Sequence, residues 1–288
     1  MLEKRKLTIK SDVDYEEERI GKIPVVLYEP DNWNGEWTIL LLHGTGGRKL
    51  NYLEWFCEKF SNFGIRSAYM ILPYHYERTP TSMKSGEAFL DVDNDTLKQR
   101  FMNAVEDVVK VSKILKKDSG KLALMGISFG GMIAVISMAK TNSIDRGILV
   151  VTGGNFQYIT WESVATKILR IKYESDSDGC SHEKCRMIHE KYYERYVKSL
   201  KNVDDVGRIP AFMKCFEYDP STFAKFVEIP ILMITALFDI FIPRKSSLDL
   251  KNRLPNVREL LIPTGHLSSF LMRRFIVRKV LKFLKEEE

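Results

Sequence analysis

The sequence predicts an α/β fold in which helices cover both faces of a mostly parallel central sheet. Apolar runs of strand length alternate with helical stretches along most of the chain. Several of these runs are apolar almost throughout, as expected for strands that are buried on both faces of a sheet. One long stretch, residues 155–226, interrupts the alternation because it contains no convincing buried strand.

The elements can be assigned in order along the chain. The predicted strands are KIPVVLYEP, WTILLLHG, IRSAYMILP, KLALMGI, RGILVVTGG, IPILMITALFD and NVRELLIPTGH. A long amphipathic helix is predicted from about Asp95 to Lys117, because apolar residues recur on one side of it. Shorter helices are predicted after HGTGG, after GISFG, after Pro243 and at the C-terminus. Together they indicate one domain with a helical insertion.

The interrupting stretch is rich in aromatic residues. They are Phe156, Tyr158, Trp161, Tyr173, Tyr192, Tyr193, Tyr196, Phe212, Phe216, Tyr218, Phe223 and Phe226. A helical insertion needs a core of its own, so some of these rings are expected to pack against one another. We expect a few others to line an apolar pocket.

Composition narrows the class of protein. The 288 residues are 44% hydrophobic with mixed charge, as in ordinary globular proteins. No apolar run approaches the roughly 18 residues that cross a bilayer, so no membrane partner is expected. The N-terminal MLEKRKLTIK lacks the apolar segment of an export signal, and a cytoplasmic location is therefore expected.

The net charge of +6 is small for a chain of this size. Its densest basic patch is the C-terminal helix, where Arg274, Arg278, Lys282 and Lys285 share one face. We interpret this face as solvent-exposed and expect no nucleic-acid partner. The oligomeric state cannot be read from the sequence.

Four residues with zinc-compatible side chains, Cys180, His182, Cys185 and His189, lie within ten positions. No second half-site accompanies them, and one continuous helix would point the four side chains in different directions. We therefore expect no metal site, although the cluster leaves that question open.

The segment KLALMGISFGGMIAV surrounds one serine with glycines. Gly126-Ile127-Ser128-Phe129-Gly130 fits the G-x-S-x-G turn, with a predicted strand before it and a predicted helix after it. Small residues two positions before and after the serine let strand and helix approach closely. The turn would lift the Ser128 hydroxyl above the sheet edge at a helix N-terminus, where the backbone amides favour negative charge.

A serine nucleophile needs a base, and the base needs an orienting acid. Asp239 and His266 each follow an apolar strand, so both should reach the carboxyl edge of the sheet where Ser128 also lies. They come in the order serine, acid, histidine that accompanies this turn. Asp219 and Asp249 remain alternatives for the acid.

A fourth motif follows an early central strand. His43 to Gly47, HGTGG, match the HG-x-G loop that supplies one amide of an oxyanion hole. The predicted donors are the N–H groups of Phe129 and Thr45, with Gly46 as the second choice for the loop. His43 is expected to support this loop rather than to act in catalysis.

In these four motifs the chain resembles the α/β-hydrolases, and the resemblance covers nearly its whole length. It implies a core of residues 1–152 and 227–288, with residues 153–226 forming a helical cap after the sixth strand. It also implies a serine hydrolase without metal or organic cofactor, in which Ser128, His266 and Asp239 form a catalytic triad. A small-molecule acyl ester is the expected substrate, which makes a carboxylesterase the preferred function.

The loop LPYHYERTP, Leu72 to Pro80, resembles one in microbial esterases related to acetyl-xylan esterases and dienelactone hydrolases. Within it, His75 and Arg78 are candidates for substrate contact, although Arg78 would serve equally well as the partner of a carboxylate. Three other functions remain open: a peptidase of the prolyl-oligopeptidase type, an acyltransferase and a non-catalytic binding protein.

Overall fold

The computed structural model describes residues 2–47, 49–175 and 180–286. The limits expected at residues 1 and 288 therefore lie outside the described residues. The strands are β1 Leu2–Lys10, β2 Lys22–Pro30, β3 Trp37–Leu42, β4 Arg66–Met70, β5 Lys121–Ile127, β6 Arg146–Val150, β7 Ile231–Ala236 and β8 Val257–Ile262.

The helices follow in chain order. They are α1 Asn51–Ser61, α2 Asn94–Lys117, α3 Phe129–Lys140, α4 Phe156–Glu162, α5 Lys167–Ser175, α6 His182–Ile188, α7 Glu194–Ser199, α8 Pro220–Phe223, α9 Arg244–Arg253 and α10 Arg273–Lys285. Among the described residues, none of these helices is long and apolar enough to cross a bilayer. The outer face of α10 carries the exposed basic side chains expected there.

The eight strands form one sheet in the order β1-β2-β4-β3-β5-β6-β7-β8. The neighbouring strands β4–β3, β3–β5, β5–β6, β6–β7 and β7–β8 pair in parallel, whereas β1–β2 and β2–β4 are antiparallel. The predicted α/β fold is confirmed, because each of the seven predicted strands is present. Strand β1 was not predicted. It forms the sheet edge, and nearly every residue along it is exposed.

Two layers of helices bury the sheet. Strand β3 is buried along its whole length, and its alternate side chains pack into clusters on opposite faces. Helices α2 and α3 pack on one face, and α1 and α10 pack on the other. The buried middle of the sheet thereby fixes the carboxyl ends of β3, β5, β7 and β8 relative to one another.

The chain between β6 and β7, residues 151–230, is called the β6–β7 segment here. Its described residues form helices α4–α8 and short 3₁₀ turns, with no strand among them. Tyr193, Tyr196, Val197, Leu200 and Phe216 form a small core within it.

Candidate active site

The turn from β5 into α3 holds Ser128 in a strained conformation. Its φ of 54° and ψ of −122° lie outside the regions that L-residues normally occupy, at a cost of about 1–3 kcal/mol. The Ser128 N–H donates to Val150 O at 2.9 Å, and its carbonyl accepts from Thr152 Oγ1 at 2.7 Å. These bonds fix the backbone so that the side chain lines the large cavity described below.

The glycines of this turn are required by close backbone contacts. A Cβ atom placed on Gly126 would lie 2.5 Å from Gly130 O, and one on Gly130 would lie 2.6 Å from Leu42 O. Gly44 is restricted less severely, because a Cβ there would lie 3.3 Å from the Cβ of Ser128. The glycine-rich loop after β3 therefore lies directly beside the serine.

His266 and Asp239 come together from the loops after β8 and β7. His266 Nδ1 lies 2.7 Å from Asp239 Oδ2. The other carboxylate oxygen of Asp239 accepts the backbone N–H groups of Phe241 and Ile242, at 2.9 and 2.8 Å. The Asp239 side chain is 4% exposed and the His266 side chain is 11% exposed. The carboxylate is therefore held in one orientation against the imidazole ring.

The two alternative acids are engaged elsewhere. Asp219 accepts backbone N–H groups from Asn155, Phe156 and Ser221 at 2.6–2.8 Å. Asp249 accepts from Ser221 Oγ and forms an ion pair with Arg253. Among the described aspartates, only Asp239 contacts His266.

His43 anchors the loop that follows β3. Its Nε2 accepts the Leu72 N–H at 3.0 Å, so the proton lies on Nδ1, which faces Gly44 O at 2.9 Å. Burial lowers the pKa of His43 well below its usual value and keeps the ring neutral. Gly44 N–H donates to Tyr52 Oη at 2.9 Å, an anchor that the sequence analysis missed because the loop motif contains no signal for it.

The residues that carry the predicted amide donors line a common space. Thr45, Gly46 and Phe129 all line the same cavity as Ser128 and His266. Within the described residues, no backbone or side-chain acceptor pairs with the N–H of Thr45 or Phe129. Neither N–H group is therefore engaged by another described part of the protein.

That cavity has a volume of about 1120 Å³ and extends from the sheet edge beneath the β6–β7 segment. Phe156, Trp161, Tyr173 and Tyr218 line it, whereas Tyr193, Tyr196 and Phe216 pack inside the segment. The aromatic residues thus divide between cavity wall and segment core, as expected from the sequence.

Arg78 takes the second of its two expected roles, that of the partner of a carboxylate. Its side chain is fully buried and lies outside the cavity wall. The guanidinium donates to Ile20 O at 2.6 Å, to Ile71 O at 2.9 Å and to Asp107 Oδ2 at 2.5 Å. Asp107 lies on α2, so Arg78 ties the loop after β4 to that helix. His75 is also fully buried, and no part of it belongs to the cavity wall.

Only part of the Cys180–His189 cluster comes together, since Cys185 Sγ lies 3.6 Å from His189 Nδ1. His182 stacks on Trp161, while His189 Nδ1 faces Cys185 O at 3.1 Å. Among the described residues, no group of three or more potential metal ligands comes together.

Most of the chain matches a known protein family. Residues 18–285 match the model of the family described as "Alpha/beta hydrolase domain containing 18". The chain belongs to this family. The match includes all three predicted triad residues and the loop after β3. A curated relative, the proline iminopeptidase of Elizabethkingia meningoseptica, is 21% identical over 86% of this chain and 89% of its own.

Solved structures share the fold at low sequence identity. A cold-adapted esterase from an Arctic intertidal metagenomic library superposes with a TM-score of 0.60 and 16% identity, covering 98% of this chain and 94% of its own. The acylaminoacyl peptidase of Pyrococcus horikoshii gives 0.64 and 17%, covering 100% of this chain and 43% of its own. The enol-lactonase of Burkholderia xenovorans LB400 gives 0.57 and 16%, covering 92% of this chain and 97% of its own.

Proposed function

We propose that the protein is a serine carboxylesterase that cleaves small to medium acyl esters through an acyl-enzyme. Ser128 is the nucleophile, His266 the general base and Asp239 the acid that orients it. The N–H groups of Phe129 and Thr45 form the oxyanion hole, with Gly46 as the alternative to Thr45. The observation that carries the proposal is the 2.7 Å His266–Asp239 contact at the cavity that Ser128 also lines.

The proposed mechanism uses the site in two steps. His266 Nε2 takes the Ser128 proton as the oxygen attacks the acyl carbonyl, and Asp239 stabilises the imidazolium through Nδ1–H. The two amides stabilise the oxyanion, and the alcohol leaves with the proton from His266. Water then attacks the acyl carbonyl as His266 takes its proton, and His266 passes this proton to the Ser128 oxygen as the acid is released. None of these steps needs a metal or an organic cofactor.

The cavity supports an ester with an apolar acyl group. Its volume exceeds that of most small-ligand pockets, and aromatic rings form much of its wall. We propose that residues 153–226 act as the cap that encloses it. The acyl and alcohol parts of a medium-sized ester would both fit beneath this cap.

Hydrolysis of p-nitrophenyl esters from acetate to decanoate tests the proposal, with Ser128→Ala measured in parallel. Turnover that is lost in the variant is the expected result, and the chain-length optimum measures the acyl pocket. Equal rates for the two proteins, or no turnover of any ester, would contradict the proposal.

A peptidase is the second candidate, because the curated relative is named a proline iminopeptidase. The same triad would attack an amide, and the competing substrate is therefore proline p-nitroanilide. A kcat/KM for this anilide above that for every ester would favour the peptidase. Trapping of the acyl group by added alcohols, in preference to water, would instead indicate an acyltransferase.

We also propose that the enzyme works in the cytoplasm. The four cysteines, Cys57, Cys180, Cys185 and Cys215, are all free thiols, as is usual for proteins of a reducing compartment. Cell fractionation with an antibody against the chain tests this, and recovery in a secreted or membrane fraction would contradict it.

A further inference from the structure

His75 lies directly behind the loop that carries the proposed oxyanion donor Thr45. Its Nε2 atom is 3.1 Å from Thr45 Oγ1, and its Nδ1 atom is 2.9 Å from Pro73 O. A carbonyl oxygen only accepts hydrogen bonds, so Nδ1 must carry the ring proton. Nε2 is then the acceptor, and the Thr45 hydroxyl donates to it.

Burial keeps the His75 ring in this neutral form. It lowers the pKa of His75 to about 4, so Nε2 carries no proton near neutral pH. The acceptor that faces the Thr45 hydroxyl is therefore permanently available under ordinary assay conditions.

The same ring also packs against the second proposed donor. His75 lies 5.5 Å from the Phe129 ring and 5.5 Å from the Phe89 ring, between centroids. Gly86 leaves room for the hydrogen bond, since a Cβ placed there would lie 2.5 Å from Thr45 Oγ1 and 3.0 Å from His75 Nε2. One buried side chain thus touches both residues that carry the proposed oxyanion donors.

Thr45 needs such an anchor because its loop has little packing of its own. Thr45 and Gly46 are exposed, and glycines flank Thr45 on both sides. The loop is fixed at Gly44 by the bond to Tyr52 Oη. Beyond that point, the bond from Thr45 Oγ1 to the buried ring ties the loop to the interior.

We propose that His75 is a positioning residue that holds the Thr45 amide in line with the Phe129 amide, so that both reach the same oxyanion. The inference rests on the proposed function and assigns His75 no contact with substrate. An oxyanion hole acts through donors that are fixed in place before the reaction. A small misplacement of one donor lowers the rate of the chemical step, while substrate binding through the apolar cavity continues.

Paired substitutions test the hydrogen bond from both sides. His75→Phe keeps a ring but removes the acceptor, and Thr45→Val keeps the side-chain shape but removes the hydroxyl. We expect each to lower kcat about 10- to 100-fold with little change in KM. The double variant should be no slower than the slower single variant, because each single substitution already removes the same hydrogen bond between Thr45 and His75.

Conservative variants and an inhibitor separate positioning from general stability. His75→Gln restores an acceptor and Thr45→Ser restores a hydroxyl, so each should recover much of the lost rate. A trifluoromethyl ketone, which adds to the serine as an oxyanion, should lose affinity for His75→Phe and Thr45→Val by the same factor as kcat. Thr141→Val, on the loop after α3, serves as the matched control and should retain full activity.

Two outcomes would overturn the inference. One is a Thr45→Val variant with the kcat of the wild type, which remains decisive if His75→Phe fails to fold. The other is a double variant in which the two losses multiply, since this would mean that the residues act independently. If the wild type hydrolyses no acyl substrate, or no faster than Ser128→Ala, the proposed function itself fails and this inference with it.

Discussion

The sheet and the β6–β7 segment use their apolar side chains in different ways. In the sheet, Leu40, Leu41 and Leu42 are completely buried between two helical layers. In the segment, by contrast, Val164, Ile168 and several other apolar side chains remain exposed, and five residues form the small separate core. The sheet therefore holds chemical groups at fixed distances, while the segment shapes the space above them. We expect sheet-edge substitutions to change rate or folding and segment substitutions to change selectivity.

The largest expected effect concerns the acid at the sheet edge. Asp239→Asn should lower kcat about 10⁴-fold, because the amide no longer stabilises the imidazolium or its tautomer. The measurement is ester hydrolysis together with thermal unfolding, which should show an intact fold. Asp249→Asn is the control, since Asp249 pairs with Arg253 and has no contact with His266. Near-normal activity of Asp239→Asn would assign the role to another carboxylate.

A second prediction tests the close packing of the turn. Gly126→Ala should lower the free energy of unfolding by about 3 kcal/mol or more, because the added methyl group meets the Gly130 backbone at 2.5 Å. Gly21→Ala is the matched control, since its Cβ would have contacts of 3.5 Å and longer. Chemical denaturation measures both. Equal stability of the two variants would mean that the turn tolerates a side chain after all.

A third prediction concerns the dependence of stability on pH. Burial lowers the pKa of His75 from 6.5 to about 4, so the unfolded chain binds a proton that the folded chain does not bind between these values. His75 therefore does not reduce the free energy of unfolding above pH 6.5. As the pH drops from 6.5 towards 4, this residue lowers the free energy of unfolding by about 3 kcal/mol. Denaturation of the wild type and His75→Gln from pH 7 to 4 should show a smaller decrease for the variant. Parallel curves would contradict this assignment.

The smallest expected effect on activity concerns the segment. Tyr218→Ala enlarges the cavity, so the ratio of kcat/KM for decanoate to that for acetate should rise about tenfold. Because Tyr218 is buried and its hydroxyl donates to Asn94 Oδ1 at 2.7 Å, the free energy of unfolding should also fall, by about 3–5 kcal/mol. Tyr192→Ala is the control, because Tyr192 stacks on Phe212 and is not part of the cavity wall. An unchanged ratio for Tyr218→Ala would mean that this side of the segment only contributes packing.

The candidate site was predictable from sequence where its geometry is local. The glycines around Ser128 report a contact between neighbouring stretches of chain, and Asp239 and His266 each follow their own strand directly. Arg78 was different, because its partner Asp107 lies 29 residues away and only the folded chain reveals the pair. His75 was predicted as a possible substrate contact because its partner Thr45 lies 30 residues away, and only the folded chain reveals this pair. The motif alone does not reveal whether its histidine lines the cavity or lies buried behind it.

The failure to predict strand β1 has a physical reason. Sequence patterns reveal strands through buried apolar faces, and β1 has none, since both of its faces are largely exposed. It is held by its nine-residue pairing with β2, and this pairing depends on backbone hydrogen bonds rather than on particular side chains.

This edge strand also bears on how the molecule behaves at high concentration. The free edge of a sheet is a template on which another chain can add a strand. Here that edge carries Lys4, Arg5, Lys6 and Lys10. Lys4, Arg5 and Lys6 form ion pairs with Glu54, Glu29 and Glu77. A second copy paired along β1 would crowd these charged side chains, so the cross-molecular sheet that leads to aggregation is disfavoured.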